Sequence, residues 1–203
     1  ALGTEPVQPL IARYQNYDSF ADFANDITSL EKAGLPNALP LGIAPDFKDA
    51  QTYVLWADAL GTILPDTTYY EPGHPQGADL LKTWRSSQEA LLSKFGFAAD
   101  EIQDLLDKAI EFDARVAKVV LSQEESSEYA KLYKPYKWSD FTALAPELPL
   151  NDVVTAMIGE EPDMVVVPEE RFWHAADQFF SEEAWPLLKA TLIIGIANAY
   201  TGY

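Results

Sequence analysis

Apolar residues recur along this chain at helical spacing. Phe20, Phe23, Ile27 and Leu30 share one face, with Ser19 as N-cap, Asp22 three residues on, and Gly34 as the stop. Pro36 and Pro40 break the next stretch, so residues 35–43 are predicted extended. Residues 51–59 read two ways. Tyr53, Leu55 and Ala57 alternate as in a strand, whereas Tyr53, Trp56 and Leu60 would share a helix face. Turn residues crowd positions 65–77, which predicts a loop. Leu80, Leu81, Trp84, Leu91, Leu92 and Phe95 form a second stripe, ended by Gly96. A third runs from about Ala99 to Leu121 through Ile102, Leu105, Leu106, Ala109, Phe112, Val116 and Val120, and should pair antiparallel with the second.

Beyond a polar break at 123–128 the elements shorten. Ser139 and Asn151 are predicted N-caps of two short helices, stopped by Pro146 and Gly159. Met164 to Val167 is β-prone between Pro162 and Pro168. Pro168, Glu169 and Glu170 are expected to open another helix, with Pro at its first position and acids in its first turn. Ser181 is the predicted cap of the last helix, where Leu187, Leu188, Leu192, Ile193, Ile194 and Ile196 leave few polar faces and imply burial. The expectation is a mainly α fold with a small β-hairpin near residues 39–58, in a single domain over 1–203. No repeat, low-complexity tract or interdomain linker interrupts it.

Composition narrows the function classes. Lys plus Arg number 14 against 32 Asp plus Glu, a formal net charge of −18. Such a surface repels phosphate backbones and anionic lipid, so no nucleic-acid or membrane contact by this segment is expected. There is no cysteine, which removes disulfides, thiolate metal sites and a Cys nucleophile. The longest apolar run, Leu192 to Ala197, is far too short to span a bilayer. The chain opens on Ala1 and not Met, and reads as a piece of a longer protein.

One ordered set of motifs points to a family. Gly42-Ile43-Ala44-Pro45-Asp46, Thr52-Tyr53-Val54-Leu55 and Leu60-Gly61-Thr62-Ile63-Leu64-Pro65-Asp66-Thr67-Thr68-Tyr69-Tyr70 resemble the G-x-x-x-D, Y-x-L and G-L-x-L-P-x-x-x-Y-Y run of the neprilysin-type zinc metallopeptidases, the family of oligopeptidase O. Pro9-Leu10-Ile11 ahead of Phe20 to Gly34 is similar to that family's lead-in. Ala109 to Ala117, with Glu111 at the acidic position, resembles its "L-E-x-x-L-A" segment. Tyr133-Lys134-Pro135 with Leu144-Ala145-Pro146, and Val165 to Pro168 with Phe172, continue the match. Lys134 stands where the family has Asn.

The resemblance implies the non-catalytic, N-terminal capping lobe of a two-lobed peptidase that hydrolyses oligopeptides. The family's zinc and catalytic glutamate belong to the other lobe. No H-E-x-x-H occurs in this sequence. Hence no catalytic and no metal residue is assigned here, and zinc is expected only in the parent enzyme. The implied partners are the catalytic lobe of the same polypeptide and oligopeptide substrates, with the lobe limiting substrate size. Animal members are extracellular and disulfide-rich; the lack of cysteine points to a bacterial-type member, with the cytoplasm favoured over export. The resemblance also decides residues 51–59 for the hairpin.

The remaining candidate chemistry is sparse. Glu170, His174 and Asp177 would share a helical face, and His74 is the one other imidazole. A solvated helix face is favoured over a zinc site. The acid pairs Glu124/Glu125, Glu160/Glu161, Glu169/Glu170 and Glu182/Glu183 carry little information among 32 acids. Asp46 and Asp66 are expected to brace loops, and Tyr69 and Tyr70 to anchor packing or line a chamber. Asn198-Ala199-Tyr200 imitates the family's N-A-[FY] substrate motif but sits in the last helix, and is taken as coincidence. Two other readings stay open: a stand-alone helical peptide- or ligand-binding module, and an acid-pair hydrolase.

Overall fold

The computed structural model describes residues 3–200. Its first helices, α1 (Gln8–Gln15) and α2 (Phe20–Lys32), are joined by a short turn. Ser19 Oγ accepts the Asp22 N–H, the predicted cap. A second cap comes from far along the chain. The Glu182 carboxylate accepts the Phe20 and Ala21 N–H groups at 3.0 and 2.9 Å, where the helix dipole also favours negative charge. Phe23, Ile27 and Leu30 are fully buried, and Gly34 follows in the left-handed conformation.

The predicted hairpin is present as β1 (Leu41–Pro45) and β2 (Tyr53–Ala57), paired antiparallel. It is the start of a larger sheet. β4 (Met164–Val166) pairs parallel to β2, and β3 (Pro135–Lys137) pairs antiparallel to β4, giving the order β1-β2-β4-β3. The β-prone Met164 to Val167 thus becomes a central strand. β3 went unpredicted, because three residues opening on a proline carry no alternation. As an edge strand it tolerates Pro135.

Three long helices build the other half. α3 (Gly77–Lys94) and α4 (Ala99–Ala117) are neighbours, and α10 (Trp185–Ala199) lies chiefly along α4 and also touches α3 and α1. Nine residues of α10 are buried on nearly every side, as its composition predicts. One continuous core links these helices to the sheet and to α2. The α3 stripe is unevenly covered. Leu92 and Phe95 are buried, but Leu80 is 38% exposed and Leu81 and Trp84 are only half-covered. α4 stops at Ala117, before the β-branched pair Val119–Val120, and the chain leaves the helix axis to give Leu121 N–H to Glu169.

The short elements shift several predicted caps. The polar break contains α5 (Gln123–Ser126), opened by a capping box between Ser122 and Glu125. α6 (Tyr129–Leu132) follows it. Ser139 lies inside α7 (Trp138–Thr142), whose N-cap is Lys137. Asn151 lies inside α8 (Leu150–Ile158), where its Oδ1 accepts the Trp138 Nε1–H at 2.6 Å and ties the two helices. Gly159 ends α8 in the left-handed conformation, as predicted. α9 (Glu170–His174) starts two residues beyond Pro168, with Glu169 as N-cap. Ser181 caps a turn through the Ala184 N–H, and α10 begins only at Trp185, ahead of Pro186.

Gly77 marks where the 65–77 loop meets α3. A Cβ there would stand 2.1 Å from the Tyr69 carbonyl oxygen, and backbone cannot swing aside as a side chain does. Gly77→Ala should therefore destabilise the fold by about 2 kcal/mol or more. Ser19→Ala should cost only about 1 kcal/mol. Urea denaturation measures both, and an unchanged midpoint for Gly77→Ala would mean the loop relocates freely.

Candidate functional site

The loop carrying the longest sequence motif is fixed by one buried carboxylate. Asp113, on α4, is 5% exposed. Its Oδ1 accepts the Ile63 N–H at 2.8 Å, and its Oδ2 accepts the Tyr70 Oη–H at 2.6 Å. Tyr70 Oη in turn accepts the Leu64 N–H at 3.0 Å. Burial pushes the Asp113 carboxyl up despite these bonds, and pushes the Tyr70 phenol well above its ordinary value. Tyr70 is thus a packing anchor. Tyr69 lies against His74, with ring centroids 4.3 Å apart.

Asp66 and Asp46 brace loops, as their turn settings suggest. Asp66 Oδ1 accepts the Gln123 N–H and Oδ2 the Thr68 hydroxyl, which holds its carboxyl below the usual range. Asp46 Oδ1 accepts the Lys48 N–H. His74 Nδ1 accepts the Gln76 and Gly77 N–H groups, so this imidazole caps the turn ahead of α3. The shared face of Glu170, His174 and Asp177 does not form, because α9 ends at His174 and Asp177 sits in a 3₁₀ turn, Ala176–Gln178. Glu170 instead meets Lys134 Nζ and Tyr136 Oη, both at 2.6 Å. Those partners hold Glu170 low, while burial and Glu170 push Tyr136 up to about 12. Lys134, the departure from the family's Asn, earns an ion pair.

Among the described residues no three His, Asp or Glu side chains form a group that could hold a metal ion. The donors present do not fit zinc. Asn198 and Gln88 exchange side-chain amide bonds at 2.7 and 3.1 Å, clasping α10 to α3, so the Asn198-Ala199-Tyr200 sequence is structural where it stands. Of the other acid pairs, Glu182 caps α2, while Glu183 makes a two-pronged bond to Arg115 at 2.6 and 2.9 Å.

A groove of about 730 Å³ lies between the sheet and the segment leading into α5. Gly42, Ala44 and Trp56 line it from one face of β1 and β2, with Asp58, Asp66 and Glu169 also lining it. Among the described residues no Lys, Arg or His lines it. Burial raises the Asp58 carboxyl, although the residue as a whole is open to solvent; among the described residues no hydrogen bond to its side chain offsets that shift. Burial also raises Glu169, against the opposing Leu121 N–H and Arg171, with the charges of Asp58 and Glu125 adding to the rise. The outer edge of β1 borders this groove. Asp46 N–H donates to Thr52 and Asp58 N–H to Pro40, so Gly42 and Ala44 spend their backbone groups on β2. Leu41, Ile43 and Pro45 turn theirs outward.

A second recess of about 350 Å³, apolar and bordered by Trp84, Phe112, Leu188 and Leu192, lies among α3, α4 and α10. It adjoins the uncovered first turns of α3.

The N-terminal model of peptidase family M13 matches residues 1–203. The chain belongs to peptidase family M13. A Streptococcus gordonii protein named as a zinc metalloproteinase in the scaA 5′ region is 56% identical over all of this chain and 36% of its own length. A neutral endopeptidase of Lactococcus lactis is 33% identical over 95% of this chain and 31% of its own. The chain thus spans about a third of the length of the curated relatives it matches. Among solved structures, PepO from Lactobacillus rhamnosis superposes with a TM-score of 0.85 at 22% identity, over 98% of this chain and 31% of that one. The M13 fold is therefore present here in its N-terminal, mainly helical part.

Sequence reading missed two residues that hold this M13 lobe together. Asp113 sits at i+4 from Ala109 and i−3 from Val116, a carboxylate within an apolar stripe, whereas Glu111 is exposed beside Arg115. Gln88 likewise interrupts the α3 stripe. A polar residue at a core register was the available signal for both.

Tyr70→Phe should cost about 2 kcal/mol, because it removes a donor from a buried carboxylate and an acceptor from Leu64 N–H. The raised Asp113 pKa has a signed consequence. Between about 3.8 and that raised value the folded chain keeps a proton the unfolded chain has released, so this site's stability is full at low pH and falls as pH rises. The stability deficit of Asp113→Asn relative to wild type should be larger at pH 4 than at pH 7, as read by denaturant unfolding at both.

Proposed function

We propose that this chain is the non-catalytic lobe of a zinc metalloendopeptidase that hydrolyses oligopeptides, and that it restricts substrate size over the active-site chamber. The reading rests chiefly on the M13 match along the whole chain, set beside relatives about three times as long that are named zinc metalloproteinase and neutral endopeptidase. The residues here carry no H-E-x-x-H, so the zinc and the hydrolytic step belong elsewhere on such a protein. The half-covered Leu81 and Trp84, the exposed Leu80 and the adjoining apolar recess favour a lobe that packs against more of the same polypeptide. A rigid helical lobe over a chamber admits flexible peptides and excludes folded proteins.

Two measurements test this. The 203-residue chain alone should bind no stoichiometric zinc and cleave no peptide; chelator-sensitive peptidase activity in it would overturn the reading. In the full-length enzyme, loosening this lobe should move the length cutoff across a ladder from short peptides to an intact protein. Turnover of a very short peptide should change least. An unchanged length profile in a folded, active variant would remove the gating role.

A further inference from the structure

The groove beside β1 combines three features that the lobe's packing does not use. The first is an open strand edge. Ile43 directs both its N–H and its C=O away from β2, while Leu41 and Pro45 add carbonyls. Pro45 has no N–H, and the Leu41 N–H is already given to Leu39. The edge therefore offers one donor flanked by acceptors, enough to seat one extended segment in a defined register. The second is shallow relief: Gly42 and Ala44 add no bulk to the face they share with Trp56, whose own ring is covered by Phe47 and Tyr133. A Cβ placed on Gly42 would meet nothing within 4 Å. The third is charge of a single sign. Among the described residues, Asp58, Asp66 and Glu169 line the groove without a cation, and the Asp58 carboxylate accepts no hydrogen bond.

Asp66 is committed to Gln123 and Thr68, and Glu169 to Leu121. Asp58 is the acid left to meet a ligand. Asp58 shares the parity of Trp56 along β2, which puts it on the groove side of the sheet. A strand added at the β1 edge would project alternate side chains over that same face. A long basic side chain there would reach carboxylates that lack a cation.

We propose that this groove binds an extended peptide segment carrying a Lys or Arg, added as a strand to the β1 edge with the cation on the Asp58 side. The inference deepens the function proposed above, since oligopeptides are what such a lobe would meet. Its failure is separable: a lobe that gates by bulk alone would shift the length profile yet bind no peptide here.

The probe is a blocked hexapeptide of alternating Thr and Val, with Lys in place of one Thr, titrated into the 203-residue chain by calorimetry and amide nuclear magnetic resonance. Saturable binding should shift the Ile43 amide. It should weaken about tenfold when the Lys is replaced by Glu, and about tenfold in Asp58→Asn. It should be lost when the peptide amides on one edge are N-methylated, and in Gly42→Phe, which fills the groove. Should Gly42→Phe fail to fold, the N-methylated peptide carries the same test with the protein untouched. Absent binding, equal binding of the Lys and Glu peptides, or indifference to N-methylation would each overturn the proposal. So would an Ile43 amide already protected from exchange in peptide-free full-length enzyme, because the polypeptide itself would then occupy the edge. Peptide-free self-association of the chain through this edge, seen by sedimentation, would overturn it equally.

Discussion

Everything in this lobe is arranged around the burial of α10. A helix with apolar residues on nearly every side has no face to give to water, so it must be enclosed. α4 encloses it along its length, α1 and α3 close other sides, and Trp185 at its start stacks on Phe23 of α2 with centroids 5.0 Å apart. The sheet reaches the same core through Leu55, Ala57, Val165 and Val167, all on the face turned away from the groove. The hydrophobic effect sets this arrangement, and the polar bonds then select one version of it. Asn198 with Gln88 fixes the rotation of α10 against α3, and Asp113 fixes the height of the 61–70 loop against α4.

This division explains what the sequence made legible. Long stripes with capped ends, such as Phe20 to Leu30, are written in residue spacing and were readable. The hairpin was readable only through the family motif, because Tyr53, Leu55 and Ala57 fit two periods. β3 was unreadable, since three residues take their strand character from β4 alone. Ser139 and Asn151 look like caps and lie inside helices; Asn151 serves there as the acceptor of the Trp138 Nε1–H. The α3 stripe was legible as a stripe, but spacing does not say how far each residue is covered: Leu92 and Phe95 are buried and Leu80 is exposed.

The candidate site was less legible than the fold. The motif run was visible, but its purpose was not: Asp46, Asp66 and Tyr70 hold loop shape, and the groove those loops border is lined by residues chosen for smallness, as at Gly42 and Ala44. Smallness leaves no periodic signal. Asp58 and Glu169 come together only because β2 and β4 are parallel neighbours, a long-range pairing that no local spacing announces.

The cap that Glu182 gives to α2 has a consequence for synthesis. The groups it satisfies belong to residues 20 and 21, and Lys189 Nζ likewise bonds the Gln15 and Tyr17 carbonyls at 2.7 and 2.9 Å. At ribosomal rates of about 5–20 residues per second, the first two helices wait roughly ten seconds or more for those partners to emerge. Until then their ends are hydrated and their apolar stripe has no Trp185 to stack on. Within this lobe, then, residues made early are secured late, and the apolar stripe of α2 stays unclosed until residues 182–189 have been added.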